Sequence, residues 1–258
     1  MVRSASSLAE YALRTYDWGF LSTIVGMEMI LIPAGDFLMG DEDQSDNPRR
    51  TVFLNSYLIA RHPVTVQQYM TFVKATRHRV PLTPLWGWKD HHPIVNVSWE
   101  DALHYCLWAT MQSGRAVMLP TEAQWEKAAR GPNGRRYPWG SDWDNSRLHC
   151  SKKSYGDANS TADTRAFSNG ASSYGVLDMA GNVWEWCSDW YDNTYMKMAP
   201  SYDPGGPDTG TVRVLRGGSW YIIGEEFFRC AYRHWFTPLD RYKGTGFRVV
   251  VPVETDLH

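Results

Sequence analysis

Tyr174-Gly175-Val176-Leu177-Asp178-Met179-Ala180-Gly181-Asn182-Val183-Trp184-Glu185-Trp186 is the most information-rich stretch of the chain. Two carboxylates, Asp178 and Glu185, flank a Gly181-Asn182 turn whose carbonyls are free to point inward. Hard cations such as Ca2+ collect oxygens of this mixed carboxylate and carbonyl kind. The same residues also read as a tight turn packed by Trp184 and Trp186, with Glu185 bonded to a backbone amide.

Working outward, periodicity fails from Gly131 to the punctuation at Pro204-Gly205-Gly206-Pro207. So much irregular chain inside one domain is usually functional or pinned by a ligand. Upstream, three helix starts share one chemistry. Thr65-Val66-Gln67-Gln68, Ser98-Trp99-Glu100-Asp101 and Thr121-Glu122-Ala123-Gln124 each place a hydroxyl at the N-cap and an acid or amide three residues on, which satisfies backbone donors that a helix end leaves orphaned. Apolar residues follow at helical spacing: Tyr69, Phe72 and Val73; Ala102, Tyr105, Cys106 and Ala109; Trp125, Ala128 and Ala129. Strand-like runs cover Met29 to Ile32, Phe37 to Met39, Thr51 to Ile59, Val212 to Leu215, Phe227 to Tyr232 and Gly246 to Val251. The expectation is an α+β domain with small antiparallel sheets, few helices and long ordered loops.

The 258 residues, 43% of them hydrophobic, suffice for one large domain. Residues 1–26 read as an N-terminal appendage with a helix-compatible run from Leu8 to Tyr16, 27–252 as the domain, and 253–258 as a tail. With 26 basic against 28 acidic side chains there is no global field to attract nucleic acid. No stretch approaches the roughly 20 apolar residues of a membrane span. No signal peptide is legible, so a cytoplasmic location is expected, with surface display by another route left open. Thirteen tryptophans against nine phenylalanines fit a core of irregular loops whose carbonyls need N–H partners. Cys106, Cys150, Cys187 and Cys230 have neither zinc-ligand spacing nor the density of a disulfide scaffold, and read as buried thiols in a reducing compartment.

Six motifs in order carry a resemblance: Met29 to Gly40, Val95 to Ala102, Leu119 to Glu126, Gly181 to Trp186, Arg216-Gly217-Gly218-Ser219-Trp220 and Gly246-Phe247-Arg248. Together, over about Met27 to Pro252, they resemble the formylglycine-generating-enzyme (sulfatase-modifying-factor) family. The resemblance implies a variant of the C-type lectin fold. It also implies a structural Ca2+ held by the side chains of Asp178 and Glu185 and the carbonyls of Gly181 and Val183. A second calcium site of that family would fall near Ala166-Phe167, where Arg165 precedes the pair and disfavours a cation. The family's copper-binding cysteines match Ile222 and Phe227, neither of which can ligate a metal, so no copper is expected. The His-x-x-x-His-x-Glu iron site of the related sulfoxide synthases has no counterpart, because His91-His92 lacks a properly spaced acid.

After Trp220 the chain concentrates large side chains where that family's loops face solvent. Phe228, Cys230 and Phe247 are expected in the core, with Trp220 beside Gly217-Gly218. The candidate ligand-binding set is Tyr221, Ile222, Ile223, Glu226, Phe227, Tyr232, His234, Trp235, Phe236, Leu239, Arg241, Tyr242, Lys243 and Thr245. Tyr, Trp, Arg and His bring large contact area at modest entropy cost. The placement is also similar to variable proteins of diversity-generating retroelements. There, adenine replacement in asparagine codons yields Tyr, Ile, Phe, His, Thr or Leu, residue types frequent between 221 and 242, and no Asn occurs after Asn193. The expected function is therefore a non-catalytic module that binds a protein or other macromolecule. The alternatives are an oxidative enzyme of the same superfamily with non-standard catalytic residues, and a scaffold or regulatory subunit derived from one.

Overall fold

A computed structural model of the chain describes residues 25–152 and 159–253. The helix-compatible run from Leu8 to Tyr16 and most of the expected tail lie outside the described residues. Among the described residues, three small sheets and three α-helices form the expected α+β architecture. None of these helices is long and apolar enough to cross a membrane.

All three capping boxes are formed. Thr65, Ser98 and Thr121 open α1 (Val66–Thr76), α2 (Trp99–Ser113) and α3 (Glu122–Arg130), each accepting a backbone N–H while the third residue's side chain returns the bond. Left-handed residues Arg77 and Gly114 end α1 and α2.

The first sheet joins β1 (Met29–Ile32), β4 (Tyr57–Ala60) and β9 (Val250–Pro252) in the order β1-β4-β9, all antiparallel. The second is the hairpin of β2 (Gly35–Met39) and β3 (Arg50–Leu54). The third contains β5 (Trp184–Trp190), β6 (Arg213–Arg216), β7 (His234–Phe236) and β8 (Thr245–Gly246) in the order β7-β6-β5-β8, with β5 and β8 parallel.

Three strand expectations are corrected. Thr51 to Ile59 is two strands in different sheets, because Asn55 turns aside to bond Asp203 through its backbone N–H and side chain. Phe227 to Tyr232 is no strand: Glu225–Phe228 is a 3-10 turn, and the N–H groups of Phe227, Arg229 and Tyr232 donate three residues back. Gly246 to Val251 is split between β8 and β9.

β5 was not legible as a strand, yet it organises the core. Its alternation sends Trp184 and Trp186 towards α1 and α2, where Tyr69, Phe72, Tyr105 and Phe247 pack, and Cys187 towards Trp125, Ala128 and Ala129 of α3. The four thiols are buried. Trp220, Phe228, Cys230 and Phe247 are buried as expected.

Candidate functional site

Glu185 lies on the α3 side of β5, fully buried, and Arg248 meets it there. Arg248 Nη2 and Nε donate to Glu185 Oε1 and Oε2, each at 2.6 Å, and Trp125 Nε1 donates to Oε2 at 2.8 Å. The rest of the guanidinium donates to the carbonyls of Ala60 and Leu177 at 3.0 and 2.9 Å. The acid therefore binds a guanidinium rather than a backbone amide. Asp178, at φ 55°, accepts from Asn182 Nδ2 at 3.1 Å. Burial pushes its carboxyl up to about 7.

These donors do not fit a calcium ion as they stand. Both Glu185 oxygens are held by cationic or N–H donors, which leaves Asp178 and the carbonyls of Gly181 and Val183 against the six to eight oxygens calcium takes. The Gly181 carbonyl already accepts the Val183 N–H at 2.8 Å. Among the described residues no three His, Cys, Asp or Glu side chains are grouped to hold a metal. Arg165 pairs with Asp163 at 3.3 Å, and His92 Nδ1 lies 3.0 Å from Thr161 Oγ1.

A second buried network anchors the segment after Trp220. Glu122 and Glu126 fall on one face of α3 because they are four residues apart. Glu122 takes Arg233 through both oxygens, at 2.7 and 2.9 Å, and Arg216 at 3.2 Å. Glu126 takes Arg216 and Arg130, each at 2.7 Å. Arg216 also donates to the carbonyls of Cys230 and Ala231, so the turn leading to Tyr232 and His234 rests on a fixed charge cluster.

Above this anchor the expected ligand-binding residues divide by exposure. Ile223, Glu226, Trp235, Leu239, Arg241, Tyr242 and Lys243 are exposed, whereas Tyr221, Ile222, Phe227, Tyr232, His234 and Phe236 are half-buried. Thr245 is fully buried in β8 and does not belong to the surface. The half-buried rings make a continuous aromatic floor: Phe227 meets Tyr232 edge-on at 5.1 Å, His234 lies 4.9 Å from Trp184, and Phe236 lies 4.3 Å from Tyr242. Desolvation by burial lowers the His234 pKa, which favours the neutral ring. Lys243 Nζ sits 5.2 Å from the Trp220 ring centroid.

The thiols offer no reactive pair on this surface. Burial raises the pKa of Cys106 and Cys187 and pushes Cys230 up to about 12. Ile222 packs on core residues, and Phe227 joins the small cluster around Leu148, Ala180 and Phe228.

Residues 23–253 match the model of the sulfatase-modifying factor enzyme 1-like domain. The chain belongs to that family. It is 35% identical to a formylglycine-generating enzyme of Thermomonospora curvata, over 85% of this chain and 92% of that protein. Among solved structures, PvdO from Pseudomonas aeruginosa superposes with a TM-score of 0.77 at 25% identity, over 88% of this chain and 95% of that one. Treponema denticola variable protein 1 gives 0.75 at 24% identity, over 87% and 95%. This last likeness concerns the fold alone.

The sulfatase-modifying factor domain of this chain also carries surface residues that sequence reasoning missed. The loop from Arg79 to Trp86 exposes Val80, Leu82 and Leu85, and Trp86 packs edge-on against Trp220 at 5.2 Å. No local signal marks these residues, because an apolar loop residue has no periodicity to betray its neighbours.

Proposed function

We propose that this member of the sulfatase-modifying factor family is a binding module whose recognition surface is the segment from Tyr221 to Lys243. The observation that carries the reading is the division of that segment. Phe228, Cys230 and Arg233 are buried and anchored, while Ile223, Trp235, Leu239 and Tyr242 project outward as large apolar side chains. Exposed large apolar side chains that share a patch mark interaction sites. The family resemblance puts the copper-binding cysteines at Ile222 and Phe227, and these side chains supply packing instead of thiolates. The anchored positions could hold the turn while outward side chains changed, so the same framework would suit a diversified display surface. The likeness to Treponema denticola variable protein 1 agrees with this at the level of fold.

The second reading is an oxidative enzyme with non-standard catalytic residues. Its support is the 35% identity to a formylglycine-generating enzyme across 92% of that protein. One pair of measurements separates the two. The purified chain is titrated with Cu(I) and then incubated with oxygen and a cysteine-containing sulfatase peptide. No stoichiometric copper and no aldehyde are expected; peptide oxidation would establish the enzyme and overturn the binding module.

A further inference from the structure

The Arg79–Trp86 loop touches the recognition segment at two separate places. At one, buried Asn96 bridges them: its side chain donates to the Leu82 carbonyl at 2.7 Å, and its backbone N–H donates to the Tyr242 carbonyl at 3.1 Å. Asn96 adopts φ 60°, a left-handed conformation that Asn tolerates better than most residues. At the other, Trp86 packs on Trp220, which also contacts Tyr221 and Lys243. The loop is thereby held against the segment, and its tips stand clear of the protein: Leu82 is 76% exposed and Leu85 fully so.

Between the two walls lies a 180 Å³ cavity lined by Arg79, Pro81, Leu82, Asn96, Asp101 and Arg241. Its charge is uneven. Asp101 is the only acid in the lining and is already shared: Arg241 donates to it at 2.8 and 3.2 Å, His78 Nε2 lies 3.0 Å away, and the Ser98 N–H donates at 2.9 Å. Arg79, exposed at the mouth, has no acidic partner among the described residues. The cavity therefore carries uncompensated positive charge beside the apolar surface of Leu82, and the exposed Leu239 and Tyr242 flank its lining residue Arg241 in the chain. Lys243, also exposed and without an acidic partner among the described residues, lies over the Trp220 and Tyr221 rings.

We infer that the recognition surface is composite, with residues 79–86 as its second wall, and that its partner is a protein that places an acidic side chain in the cavity between Arg79 and Arg241 while apolar neighbours cover Leu82, Leu239 and Tyr242. This rests on the binding-module reading above and adds the partner's chemistry. A carboxylate suits the site because guanidinium groups bind it through paired N–H donors. The cavity is the size of one side chain, which favours a protein partner over an extended polyanion.

The test uses a phage-displayed random dodecapeptide library panned on the purified chain, with one recovered peptide labelled for fluorescence anisotropy. Recovered sequences are expected to place Asp or Glu next to Leu, Phe or Trp. Arg79→Gln and Leu82→Ser should each weaken binding about tenfold or more, as hot-spot residues do. Replacing the peptide's acid by its amide should cost as much, and should cost little more in the Arg79→Gln background. Leu107→Ser, on the exposed face of α2, is the control and should leave binding unchanged. All three substituted side chains lie at the surface, and a thermal melt checks that each variant is folded. If Arg79→Gln and Leu82→Ser are neutral while Trp235→Ala and Tyr242→Ala abolish binding, the second wall is refuted and the binding module stands. Peptides without acids refute the proposed partner chemistry. Neutrality at all four positions, or recovery of no peptide, overturns both.

Discussion

Glu185 and Arg248, 63 residues apart, form a doubly hydrogen-bonded ion pair with no solvent exposure at either side chain. The pair joins two of the family's motifs, Gly181 to Trp186 and Gly246-Phe247-Arg248, across the parallel junction of β5 and β8. Its outer bonds to the Ala60 and Leu177 carbonyls tie in the first sheet and the loop before β5.

Removing one member should therefore be costly. A buried ion left without its partner costs about 3–5 kcal/mol, so Arg248→Ala and Glu185→Ala should each lower stability by that order in urea melts. The double variant should cost less than the sum of the two. Additive losses, or single losses below about 1 kcal/mol, would remove the pair from the centre of this account.

The same pair withholds both Glu185 oxygens from a calcium ion. With Glu185 engaged by Arg248, melting midpoints in excess calcium and in chelator should coincide, since a ligand bound only to the native state would separate them. A calcium-dependent rise that Asp178→Asn abolishes would mean that Glu185 leaves Arg248 for the ion.

The pH dependence of stability follows from Asp178 and Asp189. Burial pushes both carboxyls up to about 7, with Glu122 adding to the effect at Asp189. Between about pH 4 and pH 7 the folded state thus holds protons that the unfolded state has released, and stability falls as pH rises through that window. Asp178→Asn should remove part of this slope and raise the melting temperature at pH 8, with little effect at pH 4. A melt in which the variant is less stable at pH 8 would contradict it.

Tolerance along the recognition segment should alternate with burial. Trp235→Ala and Tyr242→Ala should change stability by roughly 0.5 kcal/mol or somewhat more, as exposed sites do. Phe228→Ala and Phe247→Ala should cost about 3–5 kcal/mol. Equal, large losses at all four positions in denaturant melts would show that the segment is core and refute display.

The thiols supply a check on the chemistry. Because all four are buried, a thiol-specific disulfide reagent should react with none of them in the folded protein and with four per chain in denaturant. Rapid reaction of one native thiol would reopen the enzymatic reading.

Features settled within a few residues could be read directly from the chain. The three capping boxes were legible because donor and acceptor sit three positions apart, and of the apolar positions read at helical spacing all but the half-buried Val73 are buried. The motif series carried the family, and Phe228, Cys230 and Phe247 were recognisable as core. The long-range pairs were not legible. Nothing near Glu185 says that a guanidinium from residue 248 will neutralise it, so the acid read equally well as a metal ligand or a turn residue. Thr245 and Tyr242 look alike as members of one polar-aromatic run, yet the parallel pairing of β8 with β5 buries the first and leaves the second outside. Leu82 is tied to Tyr242 only through Asn96, which donates to the carbonyls of both. Exposure and charge pairing are properties of which segments meet, and that is decided by packing across the whole chain.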